Sequence, residues 1–216
     1  MTKETNTKDN FELALEYNAM MPDRIREYLH TRGLTDPAIA RFRIGWNGAR
    51  ITIPITNHER KVVFFKLAEN PQDTPSPQTT ASIDHAIELY GWERIHFKRS
   101  PLIICEDEWE RLILEGHSFA ALSSTGGMHI FLPEWVEQLD YNPQVYICFR
   151  TGSESYDAAG GIHALIPESK VVRLPDSVGM NGGIEDFFVR CGASREDFQR
   201  LLDEASDFNN DDRETI

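Results

Sequence analysis

Cysteine is scarce in this chain: Cys105, Cys148 and Cys191 are the only three among 216 residues. None stands in a C-x-x-C pair, so neither a zinc ribbon nor a disulfide framework is supported. Cys105 and Cys148 close the apolar runs LIIC and VYIC, where a thiol behaves as a small core side chain. Long apolar runs are also lacking. No stretch is long enough to cross a bilayer, and the opening MTKETNTKDN has no apolar signal segment. A cytoplasmic setting with no membrane partner is therefore expected. Basic residues are the third shortage, with 22 Lys and Arg against 35 Asp and Glu, a net charge of −13. Phosphate neutralisation supplies most nucleic-acid affinity, so this balance argues against tight nonspecific DNA binding. A local basic groove stays possible, because fields are screened within about 10 Å.

What the chain does have is enough apolar content for a core, 40% of its residues, in one domain or two small ones. Residues 1–18 read as a polar arm with one short helix in FELALEY. MPDRIREYLHTRG reads as a helix, with Pro22 in its first turn and Gly33 at its end. RITIPI and KVVFFKL, joined by a polar turn, suggest a hairpin. The segment 69–82, ENPQDTPSPQTTAS, has the Pro, Ser and Thr content of a mobile loop. IDHAIELYGW suggests a short helix and turn.

From Pro101 the pattern changes. LIIC, SFAALSS, QVYICF and KVVRLP are apolar strand signals, separated by the helical stretches EDEWERLILEG, LPEWVEQL and DAAGGIHALI. Such alternation indicates a parallel sheet covered on both faces. Ser194 and Asp197 resemble a capping box opening a last helix. The resulting division is 1–18, a small α+β part over 19–100, an α/β part over 101–205, and an acidic tail over 206–216, expected to be disordered.

Ligands of an open parallel sheet bind beyond the carboxyl ends of its strands. Acidic residues fall there: Glu106 directly after LIIC, Glu154 and Asp157 after VYICF, and Glu185 with Asp186 after GMNGG. Converging carboxylates suit Mg²⁺, a hard cation that takes oxygen ligands and substrate phosphate. Acidic residues after strands also serve as ordinary helix N-caps, and spacing alone leaves both roles open.

The ordered set LIICEDEWERLILEGHSFAALSSTGG, VYICF, DAAGGIHALIP and KVVRLPDSVGMNGGIEDFF resembles a Toprim domain, the fold shared by bacterial primases, topoisomerases and some nucleases. Upstream, YLHTRGLTDPAIARFRIGW, RITIPITNHERKVVFFKL and LYGW are similar in order to the amino-terminal half of a bacterial, DnaG-type DNA primase core. The resemblance implies Glu106 as the catalytic carboxylate. It implies Asp157 and Asp186, with Glu154 as a substitute, as ligands of Mg²⁺ or Mn²⁺, and no zinc. It implies nucleic-acid contacts from Lys61, Lys66, Arg94, Lys98 and Arg99. Expected partners are single-stranded DNA, nucleoside triphosphates and a replication protein, in a stand-alone form suited to a phage, plasmid or mobile element.

The acidic pattern departs from that family. Asp107 follows Glu106 where the family has glycine, and Glu110 stands where the family has an Asp further along the helix. Gly183 stands where an Asp is expected. The Asp-x-Asp pair after VYICF is present only if an insertion aligns Asp157 with its second member and Ser155 with its first. Without that insertion, Arg150 and Gly152 take the two positions. Three functions stay open: primer synthesis by nucleotidyl transfer, a catalytically degenerate module that binds nucleic acid or a replication protein, and a Toprim nuclease.

Overall fold

The structure is a computed structural model that describes residues 8–74, 79–81, 86–95, 100–139 and 142–208. Two compact units divide the chain: Met1–His30 with Thr35–Ala86, and Thr31–Leu34 with Ile87–Ile216.

In the first unit three helices accompany an antiparallel sheet. Helix α1, Asn10–Ala19, starts with a capping box in which Asp9 accepts from the Glu12 amide and Glu12 accepts from the Asp9 amide. Helices α2, Asp23–Thr31, and α3, Asp36–Phe42, follow, with Thr35 capping α3. Strands β1, Gly45–Trp46, β2, Ile51–Thr56, β3, Val62–Ala68, and β4, Thr79–Ala81, pair in that order. The expected hairpin is β2 with β3, registered through Ile53 opposite Lys66 and Ile55 opposite Phe64. Strand β2 is buried on both faces: Ile51, Ile53 and Ile55 have no exposed surface, and neither does Thr52 between them. Gly45 lets β1 lie against α1, since a Cβ there would collide with the Tyr17 backbone. Of the segment expected to be a mobile loop, 75–78 and 82 lie outside the described residues, while Thr79–Ala81 is a strand.

The second unit is α/β, as its sequence pattern suggests. Its elements are β5, Leu89–Tyr90; α4, Trp92–Ile95; β6, Leu102–Cys105; α5, Glu108–Gly116; β7, Ala121–Ser124; α6, Pro133–Leu139; β8, Val145–Cys148; α7, Ser153–Leu165; β9, Lys170–Val171; and α8, Arg195–Glu204. The sheet runs β5-β7-β6-β8-β9, with β6 to β9 mutually parallel and β5 antiparallel at the edge. The helix expected over 83–92 is corrected: Leu89 and Tyr90 pair with β7, and helix begins only at Trp92. A two-residue edge strand is too short to show alternation. Residues 83–85 of that stretch lie outside the described residues.

The strands β6 and β8 are central and apolar, with Leu102, Ile104 and Ile147 in one core that also takes Trp135, Ala159 and Ile162. Helix α5 is the most enclosed element. Its residues from Glu108 to Glu115 are all buried, four of them charged. Arg111, with no exposed surface, donates to the Ala121 carbonyl at 3.0 Å, pairs with Glu93 and lies 4.0 Å from the centre of the Tyr90 ring. Burial works against its charge, but Glu93, Tyr90 and Glu115 hold its pKa above the ordinary arginine value.

The chain after α8 corrects another expectation. Ser206 bridges Val171 in antiparallel fashion, and Phe208 stacks on Tyr156 with ring centres 4.6 Å apart. Part of the acidic tail thus covers the β9 edge and α7; the remaining tail, 209–216, lies outside the described residues. No helix among the described residues is long and apolar enough to cross a membrane.

Candidate active site at the carboxyl edge of the parallel sheet

Glu106 leaves β6 at its carboxyl end, beside the end of β8, because Cys105 and Cys148 are register partners. Its side chain is 16% exposed. One oxygen accepts from the backbone amide of Arg150 at 3.1 Å and from the Ser155 hydroxyl at 3.0 Å. The other faces the Arg150 Nε at 3.2 Å.

Arg150 is the centre of the arrangement. Its Nη2 lies 2.6 Å from Asp107 Oδ2, and its Nε lies 3.5 Å from Glu110 Oε1. Three carboxyl groups therefore surround one guanidinium. Burial alone would favour loss of its proton, but Glu110, Asp107 and Glu106 keep its pKa above the ordinary arginine value. Asp107 also caps α5 through the Glu110 amide at 2.9 Å, so the carboxylate after Glu106 serves two structural purposes.

Glu110, 1% exposed, accepts from the Ile184 amide at 3.2 Å and from the Glu106 amide at 3.3 Å. Its pKa is pushed up to about 8, first by burial and then by Asp107; Glu106 adds to the rise, and Arg150 opposes it. Gly183 closes this side: a Cβ there would collide with Glu110 Oε1 and stand 3.1 Å from the Arg150 Cγ. The next loop is tied in by Thr151, which donates to the Gly179 carbonyl at 2.6 Å and accepts from the Gly182 amide at 3.0 Å.

Of the other acidic candidates, Glu154 and Asp186 take partners outside this trio, although Arg150 also acts on Asp186 through its charge. Glu154 is exposed and lies 3.4 Å from His129 Nε2. Asp157 is exposed on α7. Asp186 caps its own turn through the Gly183 amide at 3.0 Å and pairs with Arg190 at 2.9 Å. Burial raises the pKa of Asp186, but the Gly183 amide and Arg190 outweigh it and hold it below the usual carboxylate value. Glu185 pairs with Arg32, whose guanidinium lies 4.4 Å from the centre of the Trp109 ring. Among the described residues no group of three His, Cys, Asp or Glu is set to hold a metal ion.

The donor chemistry says the same of a resident divalent cation. A cation needs free oxygen lone pairs converging on one point, and here the oxygens of Glu106, Asp107 and Glu110 face the N–H groups of Arg150. The residues present do not fit Mg²⁺ or Mn²⁺ while that guanidinium is in place. Of the two alignments the sequence allows, the one without an insertion describes the strand end, with Arg150 facing Glu106. Ser155 reaches Glu106 as well, from the first turn of α7. Glu110, which stands where the resembling family has an Asp further along the helix, does face Arg150.

Of the basic candidates, Arg94 pairs with the buried carboxylate of Glu115, Lys61 lies 2.8 Å from Glu59, and Lys66 is half-buried on β3. Lys98 and Arg99 lie outside the described residues. A cavity of about 490 Å³ opens beside the site between β8, β9 and α7, lined among others by Arg150, Ser155, Tyr156, Arg173 and Met180.

An α/β sheet with an acid-ringed strand end, together with a smaller antiparallel unit, defines a class of architecture, and solved structures specify it further. The fold is that of bacterial DnaG primase catalytic cores. The Aquifex aeolicus primase, in its zinc-binding and RNA polymerase domains, aligns with a TM-score of 0.71 at 16% identity, over 89% of this chain and 60% of that one. A DnaG primase catalytic domain bound to ssDNA aligns at 0.72 and 20% identity, over 92% and 78%. The RNA polymerase domain of Mycobacterium tuberculosis primase DnaG, in complex with a double-stranded DNA oligomer carrying a 6-nucleotide overhang, aligns at 0.70 and 15% identity, over 92% and 79%. This chain thus spans only three fifths of the Aquifex structure. No protein-family model and no curated protein sequence matches it.

Proposed function

We propose that the chain acts in DNA replication as a primase-fold module, built on a divergent Toprim domain, that binds single-stranded nucleic acid without building primers. The observation that carries this reading is the guanidinium of Arg150 among Glu106, Asp107 and Glu110. Nucleotidyl transfer and Toprim-type nuclease chemistry both need divalent ions to offset charge on the reacting phosphoryl group, and the residues here do not fit such ions. The binding half of the proposal is supported by the fold, which it shares with a primase catalytic domain that binds ssDNA. Lys61, Lys66, Lys98 and Arg99 are the proposed phosphate contacts. Arg94 is the weakest candidate, because leaving Glu115 uncompensated in the interior is costly.

The test has two arms. Fluorescence anisotropy with a labelled single-stranded oligonucleotide is expected to show saturable binding that Lys98→Ala with Arg99→Ala weakens. Incubation with template, nucleoside triphosphates and Mg²⁺ or Mn²⁺ is expected to give no primer product. A product that disappears in Glu106→Gln would replace this reading with catalysis. Absence of any oligonucleotide binding would remove the nucleic-acid half.

A further inference from the structure

We infer that the outer flank of α7 and β9 is a peptide-docking site for an extended acidic segment that carries an aromatic side chain two residues beyond its pairing residue. Residues 206–208 of this chain fill the site in cis, as a strap that such a segment of a second protein displaces. The inference goes beyond nucleic-acid binding and does not rest on it.

The site has three parts, all in the second unit. The first is backbone. Strand β9 pairs with β8 on one side and ends the sheet on the other. On that outer side the Val171 amide donates to the Ser206 carbonyl at 2.8 Å, and the Ser206 amide donates to the Val171 carbonyl at 3.4 Å. This exchange is the hydrogen-bonded pair of an antiparallel ladder, and an edge that pairs one segment is a template for another. The second part is a ring seat on α7. Phe208 stacks on Tyr156 with ring centres 4.6 Å apart, and its centre lies 5.8 Å from that of His163. Gly160 completes the seat. Glycine inside a helix disfavours the helix. Here a Cβ would stand 2.6 Å from the Phe208 Cζ, and its three nearest neighbours would all be atoms of that ring. The space beside Gly160 is thus shaped for a flat side chain brought from outside the helix. The third part is charge. Lys170 and Arg173 flank the pairing Val171 in a chain of net charge −13, and Asp207 stands between Ser206 and Phe208. A segment with a carboxylate between its pairing residue and its ring complements that edge. The strap is lightly held, by one bridged residue and one half-buried ring. Only Ala205, in extended conformation, separates it from α8, so it can leave while α8 stays folded.

The test uses a fluorescein-labelled peptide of residues 203–212, DEASDFNNDD. The full chain is titrated into it up to about 1 mM, the effective concentration that a short tether gives. Full-length Phe208→Ala, which empties the ring seat, is expected to bind the peptide about tenfold or more tightly than the wild type, whose own strap competes. Adding Gly160→Leu to Phe208→Ala fills the seat and is expected to abolish binding. The Phe208→Ala form of the peptide is expected not to bind at all. Amide hydrogen exchange reads the backbone pairing: Val171 is expected to exchange faster in Phe208→Ala than in the wild type, and to be protected again by the peptide. Circular dichroism checks that each variant is folded. Equal binding to the wild type and to Phe208→Ala would overturn the inference. So would a folded Phe208→Ala that binds no peptide, or binding that leaves Val171 unprotected. Should Gly160→Leu not fold, the alanine form of the peptide and the Val171 exchange still decide the matter.

Discussion

Glu110 shows how far a single carboxyl group departs from its sequence context. Its ordinary pKa, 4.5, describes the unfolded chain, while burial and Asp107 hold it at about 8 in the fold. Between those values the folded state binds more protons than the unfolded state, so this group's contribution to stability falls as pH rises. The loss begins near the unfolded value of 4.5 and is complete above about 8. Glu110→Gln removes the titrating group while keeping its volume. Whatever fixed penalty the amide brings, its stability relative to the wild type is expected to improve by roughly 1–3 kcal/mol between about pH 5 and about pH 8. Urea unfolding at the two pH values measures that difference. An unchanged difference would mean that Glu110 ionises normally within the fold. The same residue explains an apparent gap in the acidic pattern. An Asp is expected at 183 by resemblance, but the oxygen of Glu110 stands where a Cβ would lie, so a side chain there requires Glu110 to shift.

At the scale of elements, legibility follows period and burial. LIIC and VYIC are readable as strands because central parallel strands are buried on both faces and lose all polar alternation. Position follows from that: Glu106 must lie at a carboxyl edge. The start of α7 was not legible. Helix begins at Ser153 rather than at Asp157, and its N-cap is Gly152, with φ of 120° and no side-chain cap to read. Helix α5 was legible as a helix through Trp109, Leu112 and Ile113, but not as one buried all round, because its charged residues look like a solvent face. Its amino end carries a testable division of labour. Asp107 caps α5 and also pairs with Arg150. Asparagine is as good an N-cap as aspartate, so Asp107→Asn removes the charge pair alone. Asp107→Ala removes both and is expected to be less stable than Asp107→Asn by about 1 kcal/mol. Chemical denaturation of the two variants at neutral pH checks this. Equal stabilities would assign the residue's whole effect to Arg150.

The charge of the whole molecule decides how it can hold nucleic acid. With −13 overall, single-stranded DNA is repelled at long range, and attraction must come from a few local contacts. The described residues spend much of their basic complement internally. Arg32 pairs with Glu185, Arg94 with Glu115, Arg111 with Glu93, and Arg150 with the acidic trio. The phosphate contacts proposed are then few, on the order of two to four. Each neutralised phosphate of a single strand contributes a slope of about −0.7 to log K against log salt. Raising salt from about 50 to about 200 mM is therefore expected to weaken oligonucleotide binding roughly 7- to 50-fold, where six to ten contacts would cost over 300-fold. Anisotropy titrations across that range give the slope directly. A slope that Lys98→Ala with Arg99→Ala reduces by between one and two units would place both lysine and arginine on phosphates. A slope near zero would mean that bases, not phosphates, make the contact, through stacking on exposed rings. A slope beyond −4 would require a basic surface that the paired arginines cannot supply.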